Sequence, residues 1–188
     1  VDLTRSRLSM LVGLSGERVD LISLHRNPDL ARTTGRIAII VDDVGRQEDA
    51  LIEGLCGLEQ PVTLSIFPGA ERGPWIARQA VSHGHGVMGH LPMEPIDYPR
   101  RDPGRDAIFA DYPAERIQEL TRRAIRSVPH ARGINNHMGS RVTEDPEAVA
   151  SVLRILHRQR MFFVDSVTSP RSIAYDVAQE MGVASGRN

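Results

Sequence analysis

The chain has 188 residues, enough for one domain with a substantial core. It is 40% hydrophobic and 25% charged, and its formal net charge of −1 gives no electrostatic reason to bind nucleic acid or an anionic membrane. A single cysteine, Cys56, excludes an intrachain disulfide and a cysteine-based zinc site, and no apolar run reaches the length of a membrane span.

Residues 1–34 carry the weakest pattern. Leu8 to Leu14 fits a short helix or a strand, Val19 to Leu24 fits another, and HRNPDLARTTG reads as a linker. The segment is expected to be a partly ordered extension, without the basic-then-apolar pattern of a signal peptide. From Gly35 a rhythm sets in, and 35–188 reads as the main domain. Ile37 to Val41 is a continuous apolar run that suits a strand buried on both faces, and it stops at Asp42, Asp43 and then Gly45. QEDALIEGLCGL follows with helical spacing of Leu51, Ile52, Leu55 and Leu58. PVTLSIFPG is β-rich and closed by Pro-Gly.

ERGPWIARQAVSHG reads as a helix ending at Gly84, with Trp75, Ile76, Ala80 and Val81 inward. The strand GVMGH runs into LPMEP, and a long Pro-rich loop over 94–112 is of a length that is usually functional. Pro113 opens a helix with Ile117, Leu120, Ala124, Ile125 and Val128 on one face. ARGINNHMGSR is a short strand leading into a polar turn, and Asp145-Pro146 starts a helix carrying Val149, Val152, Leu153 and Leu156. MFFVDS is a strand ending in an acid, Pro170 begins the last helix, and Val183-Ala184 begins one more strand. Strands and helices alternating in this way require parallel strands with helical crossovers, in a doubly wound sheet or an incomplete (β/α) barrel.

The ionisable residues of interest all lie just past a strand: Asp42 and Asp43, His90 and Glu94, His137, Asp165. In α/β folds that end of the sheet is where ligands sit. Carboxylates with imidazoles make the ligand set of a zinc or similar hydrolytic site, and a neighbouring acid can take a proton from water. Each residue also has a plainer reading. Two acids before a glycine can serve as turn and cap residues. Glu94 binds a metal or pairs with Arg100 or Arg101. Asn135 and Asn136 orient a ligand or satisfy backbone groups in a turn. Arg141 binds an anionic substrate group or pairs with Asp165. A phospho-receiver reading of the VDD stretch fails, because the chain contains no lysine.

RIAIIVDDVG, VTLSIFPGA, VMGHLPMEP, PHARGINNHMGSRVT and FFVDSVTS, in this order and spacing, resemble the divergent polysaccharide deacetylase family, a remote branch of the NodB-type carbohydrate esterases. The resemblance covers about residues 36 to 186. It implies a distorted, incomplete (β/α) barrel, a divalent metal that is usually zinc in relatives, and removal of acetyl groups from a glycan in a periplasmic or other cell-envelope setting. It also implies Asp42 as base and Asp43 as metal ligand. His90 is retained from the family's usual histidine pair, with Glu94 in place of the second histidine and His137 supplying an imidazole from the next strand. Asp165 then orients a catalytic partner, while Asn136 and Arg141 remain the candidate substrate-binding side chains. Relatives continue through further strands and a late histidine, so the domain is expected to lack its C-terminal strands. The altered second motif keeps a different function open, a non-catalytic envelope module that binds glycan or protein.

Overall fold

The run that ends in Asp42 and Asp43 becomes an edge strand, β4 (Ile40–Val44), and not the strand buried on both faces that its composition suggests. Ile39, just before it, is 53% exposed. The structure is a computed structural model that describes residues 2–3, 7–14, 17–25, 37–45 and 49–188. They fall into two units, Val1–Ile37 and Ala38–Asn188. In the first, β1 (Asp2–Leu3), β2 (Arg7–Leu14) and β3 (Glu17–His25) form an antiparallel sheet, so both ambiguous stretches are strands. Apart from His25, the linker stretch lies outside the described residues.

In the second unit β4 is followed by α1 (Asp49–Cys56), β5 (Thr63–Ile66), α2 (Gly73–Ser82) and β6 (Gly86–Met93). After the 94–112 loop come α3 (Ala114–Ser127), β7 (Gly133–Met138), α4 (Pro146–Gln159), β8 (Phe162–Asp165), α5 (Ala174–Glu180) and β9 (Ser185–Arg187). The six strands are all parallel, in the order β4-β5-β6-β7-β8-β9. A doubly wound sheet reverses its strand order at a switch point. Here spatial order follows chain order throughout, which is the winding of a (β/α) barrel, and the sheet does not close. The expected α/β incomplete barrel is the fold found.

Local chemistry explains most of the helices. Asp145 caps α4, its carboxylate accepting from the N–H groups of Glu147 and Ala148, and Pro146 takes the first helical position. Val149, Val152, Leu153 and Leu156 are buried as their spacing requires. Each such side chain contributes roughly 1.5–3 kcal/mol by burial. Other faces shift from expectation. On α1 the inward residues are Ile52 and Cys56, while Leu51 is 49% and Leu58 45% exposed. On α2 Ile76 and Ala80 face in and Val81 faces out. α5 starts at Ala174 rather than Pro170, because Ser172 turns back to bond Asp165.

Candidate metal centre

The acid pair is aimed by a defect in β4. Val41 pairs with Leu64 and Val44 with Ile66, so β4 carries one residue more than β5 over this interval. That is a β-bulge. Asp43 sits in it at φ 60, a conformation that few non-glycine residues adopt. In a regular strand Asp42 and Asp43 would point to opposite faces. The bulge turns both toward His90, whose Nδ1 lies 3.7 Å from Asp42 Oδ1 and whose Nε2 lies 3.3 Å from Asp43 Oδ1. Gly45 completes the turn at φ 120, where a Cβ would come within 2.8 Å of the Ala70 Cβ.

The imidazoles come from the ladder between β6 and β7, where His90 pairs with Asn135 and Pro92 with His137. Strand alternation puts Asn135 and His137 on one face of β7. The strand then breaks sharply, with Met138 at φ 53 and Gly139 at φ 90. A Cβ on residue 139 would meet the Met93 Cβ at 2.8 Å, so a glycine is needed there.

These elements bring Asp43, His90 and His137 together. His137 Nδ1 is 3.0 Å from Asp43 Oδ1 and 3.2 Å from His90 Nε2. Nitrogen and oxygen donors bound to one zinc-sized ion are separated by about 2.9–3.4 Å, given metal–ligand bonds of about 2.0–2.1 Å. The spacing therefore suits a shared cation.

The protons point the same way. Asn135 Nδ2 donates to Asp42 Oδ1 at 2.7 Å, which fixes Asn135 Oδ1 as the acceptor. That oxygen accepts from Ser65 Oγ at 2.6 Å and from His90 Nδ1 at 2.8 Å. The neutral His90 ring thus carries its proton on Nδ1 and presents a lone pair at Nε2. Asp43 Oδ1 can only accept. Asp43 Oδ1, His90 Nε2 and His137 Nδ1 thus converge as three atoms that can each offer a lone pair. Phe67 packs edge-on against both imidazoles, with centroid separations of 5.1 Å to His90 and 4.8 Å to His137. The His90 side chain is only 4% exposed, whereas that of Asp43 is 60% exposed, so the centre is walled behind and open in front.

The remaining candidate residues have other partners. Glu94 is buried, but its Oε2 accepts from the Ala110 N–H at 3.0 Å and its Oε1 faces Arg141 Nη1 at 3.5 Å. It ties the 94–112 loop to the end of β6 and does not join the triad, and Arg100 and Arg101 are not its partners. Arg141 therefore meets Glu94, and not Asp165. Asp165 is buried, with Oδ1 accepting from the Val167 N–H at 2.9 Å and Oδ2 from Ser172 Oγ at 2.6 Å. Its oxygens hold the turn after β8 and orient no residue of the triad. Asn136 is 1% exposed, which removes it from contact with a substrate. Its amide donates to the Met138 carbonyl at 2.7 Å and accepts from the Ser166 N–H at 2.9 Å.

Sequence reasoning left Asn135 open and passed over Ser65 and Phe67. The signal for Ser65 was a small hydroxyl residue inside the β-rich run VTLSIF. His85 is buried and bridges the Cys56 carbonyl and the Val62 N–H.

A family model described as divergent polysaccharide deacetylase matches residues 39–188. The uncharacterized protein YibQ of Escherichia coli (strain K12) is 31% identical over 149 residues, which are 79% of this chain and 46% of that protein. An uncharacterized protein of Haemophilus influenzae is 32% identical over 152 residues, 80% of this chain and 52% of its own length. The chain thus spans about half the length of the curated relatives it matches. The crystal structure of the uncharacterized protein ATU2773 from Agrobacterium tumefaciens C58 shares the fold, with a TM-score of 0.75 at 23% identity over 84% of this chain and 65% of that one. The family match runs from the residue before β4 through β9 and so takes in all three residues of the triad: the chain belongs to the divergent polysaccharide deacetylase family.

Proposed function

We propose that the chain is a metal-dependent hydrolase that removes acetyl groups from a cell-envelope glycan, with zinc held by Asp43, His90 and His137. The observation that supports this most is the convergence of those three electron-rich groups beside a second, separately held carboxylate. When bound, a divalent cation supplies Lewis-acid polarisation of an acyl carbonyl and acidifies water. Asp42 is the base. Asn135 holds its Oδ1 at 2.7 Å, and its side chain is 35% exposed, so it can reach both the triad and solvent. It takes a proton as the water oxygen bonds to the acetyl carbon. The bond from that carbon to the glycan nitrogen or oxygen then breaks, acetate departs, and the proton passes to the leaving atom. Phe67 keeps bulk water from the back of the two imidazoles. Membership of the family supports the envelope setting.

Metal analysis and acetate release test this reading together. The expected result is one divalent ion per chain, loss of more than about 100-fold in zinc affinity in Asp43→Ala or His90→Ala, and acetate released from chitooligosaccharides. Absence of a bound ion, or unchanged affinity in both variants, would sink it. The second reading, a glycan- or protein-binding module on the same fold, is favoured by Glu94, which stands at the second-motif position yet serves the loop. Metal binding and glycan binding without acetate release would select that module.

A further inference from the structure

Beside the triad lies a trough of about 250 Å³ lined by Phe67, Pro68, Pro92, Pro103, Arg105 and Asp106 among others. Phe67 is its common wall with the metal centre, since the same ring packs on His90 and His137. Pro92 is the ladder partner of His137, and Gly45, two residues beyond Asp43, completes the lining on the β4 side. A smaller cavity shares Pro92, Arg105 and Asp106 and continues to Arg123 and Ser127 on α3.

The charges along this trough do not cancel. Asp106 is matched by Arg123, with Nη2 2.9 Å from Oδ2. Arg105 is exposed and has no carboxylate partner among the described residues. Its backbone is nonetheless held on both sides. Gly104 donates its N–H to Asp102 Oδ1 at 2.8 Å, Asp106 is fixed by Arg123, and Ala107 and Ile108 are buried. An arginine on an anchored loop, facing a trough with one unmatched positive charge, suits a planar anion such as a carboxylate, which a guanidinium binds in two-point fashion.

We infer that Arg105 selects an acidic glycan: a sugar carboxylate lies in the Phe67–Arg105 trough while the acetyl group lies at the metal centre. This rests on the deacetylase reading and adds the substrate class to it. Arg105 is a specificity residue that touches substrate away from the reacting atoms, so its effect falls on KM and not on kcat.

The probes are chitotetraose and the same tetrasaccharide oxidised at C6 to a carboxylate. Acetate release is followed with zinc-loaded protein, and binding is followed calorimetrically in an Asp42→Asn background that lacks the base. The acidic probe is expected to bind about 10-fold more tightly than the neutral one and to show a correspondingly lower KM. Arg105→Ala should abolish that preference, and Arg105→Lys should restore part of it. Equal handling of the two probes, binding of neither, or a preference that survives Arg105→Ala would overturn the inference. Acetate released equally from both probes would leave the deacetylase reading standing without it. Arg105-dependent binding with no acetate from either probe would do the reverse.

Discussion

Asp43 and Asp165 both follow an apolar strand run, and both stand at the carboxyl end of the sheet. Their surroundings differ in what meets the carboxylate. Asp165 is closed off, with a Val167 N–H on one oxygen and a Ser172 hydroxyl on the other. Around it Asn136, Ser166 and Thr168 donate and accept among themselves, so the β8 end is a set of matched bonds. At the β4–β6–β7 end Asp43 Oδ1, His90 Nε2 and His137 Nδ1 face one another, and Asn135 accepts from His90 Nδ1, which leaves the Nε2 lone pair toward the cluster. The acid at the β8 end is a brace, whereas the acid at the β4 end lies against two imidazoles at distances that suit a shared cation.

The largest expected effect breaks this contrast at its hinge, Asn135. Asn135→Leu removes the acceptor for His90 Nδ1 and Ser65 Oγ and the donor to Asp42. Loss of such an outer partner typically lowers metal affinity by about 10–100-fold. Competition with a chromogenic zinc chelator measures it, and Ser65→Ala should show a smaller loss. An Asn135→Leu protein that folds and binds zinc as tightly as the wild type would mean that the tautomer of His90 does not set the site.

The α/β class, the alternation of elements and the placing of Asp42, Asp43 and His137 toward the carboxyl ends of their strands were legible, because parallel strands write continuous apolar runs and turn residues into the chain; His90, expected just past a strand, lies inside β6, which runs on to Met93. The winding was not. Whether sheet order reverses depends on which face each helix packs against, and the helices here carry similar apolar stripes. The edge position of β4 was hidden for the same reason, since an apolar run does not say how many neighbours it has. Asp43 needed a bulge to reach His90, and DDVG is equally compatible with a plain turn. The bonds of Asp165 and Glu94 were not legible, because their donors, at Val167, Ser172 and Ala110, are backbone groups or common hydroxyls that leave no mark in a sequence.

A middle-sized effect sharpens the contrast from the closed end. Asp165→Ala leaves the Val167 N–H and the Ser172 hydroxyl without their acceptor. Both bonds are only partly buried, so each costs about 0.5–1.5 kcal/mol to lose, and about 1 kcal/mol lowers the melting temperature of a domain this size by roughly 2–4 °C. Thermal unfolding should therefore show a clear loss of stability while zinc affinity stays within about threefold of the wild type. The opposite pattern, intact stability with zinc binding lost, would return Asp165 to the site and remove the distinction between the two ends.

The smallest effect is a pH dependence confined to the closed end. Glu144 accepts from Ser169 Oγ and from Arg171, and these bonds hold its carboxyl below the ordinary value of 4.5, the Ser169 bond contributing most. A carboxylate whose folded-state pKa is depressed contributes stability above its unfolded value and loses it as the pH falls through the folded one. The Ser169–Arg171 anchor is thus present at neutral pH and fades in acid. The melting temperature of Glu144→Gln should fall less steeply than that of the wild type as the pH drops below about 4.5, since the variant has no proton to take up there. Zinc affinity at neutral pH should not change. Parallel melting curves for the two proteins across the acid range would show that the Ser169 and Arg171 bonds do not hold the carboxylate. A shift in zinc affinity would show that the braced end and the metal end act as one unit, which the separate hydrogen-bond sets at Asp165 and Asn135 argue against.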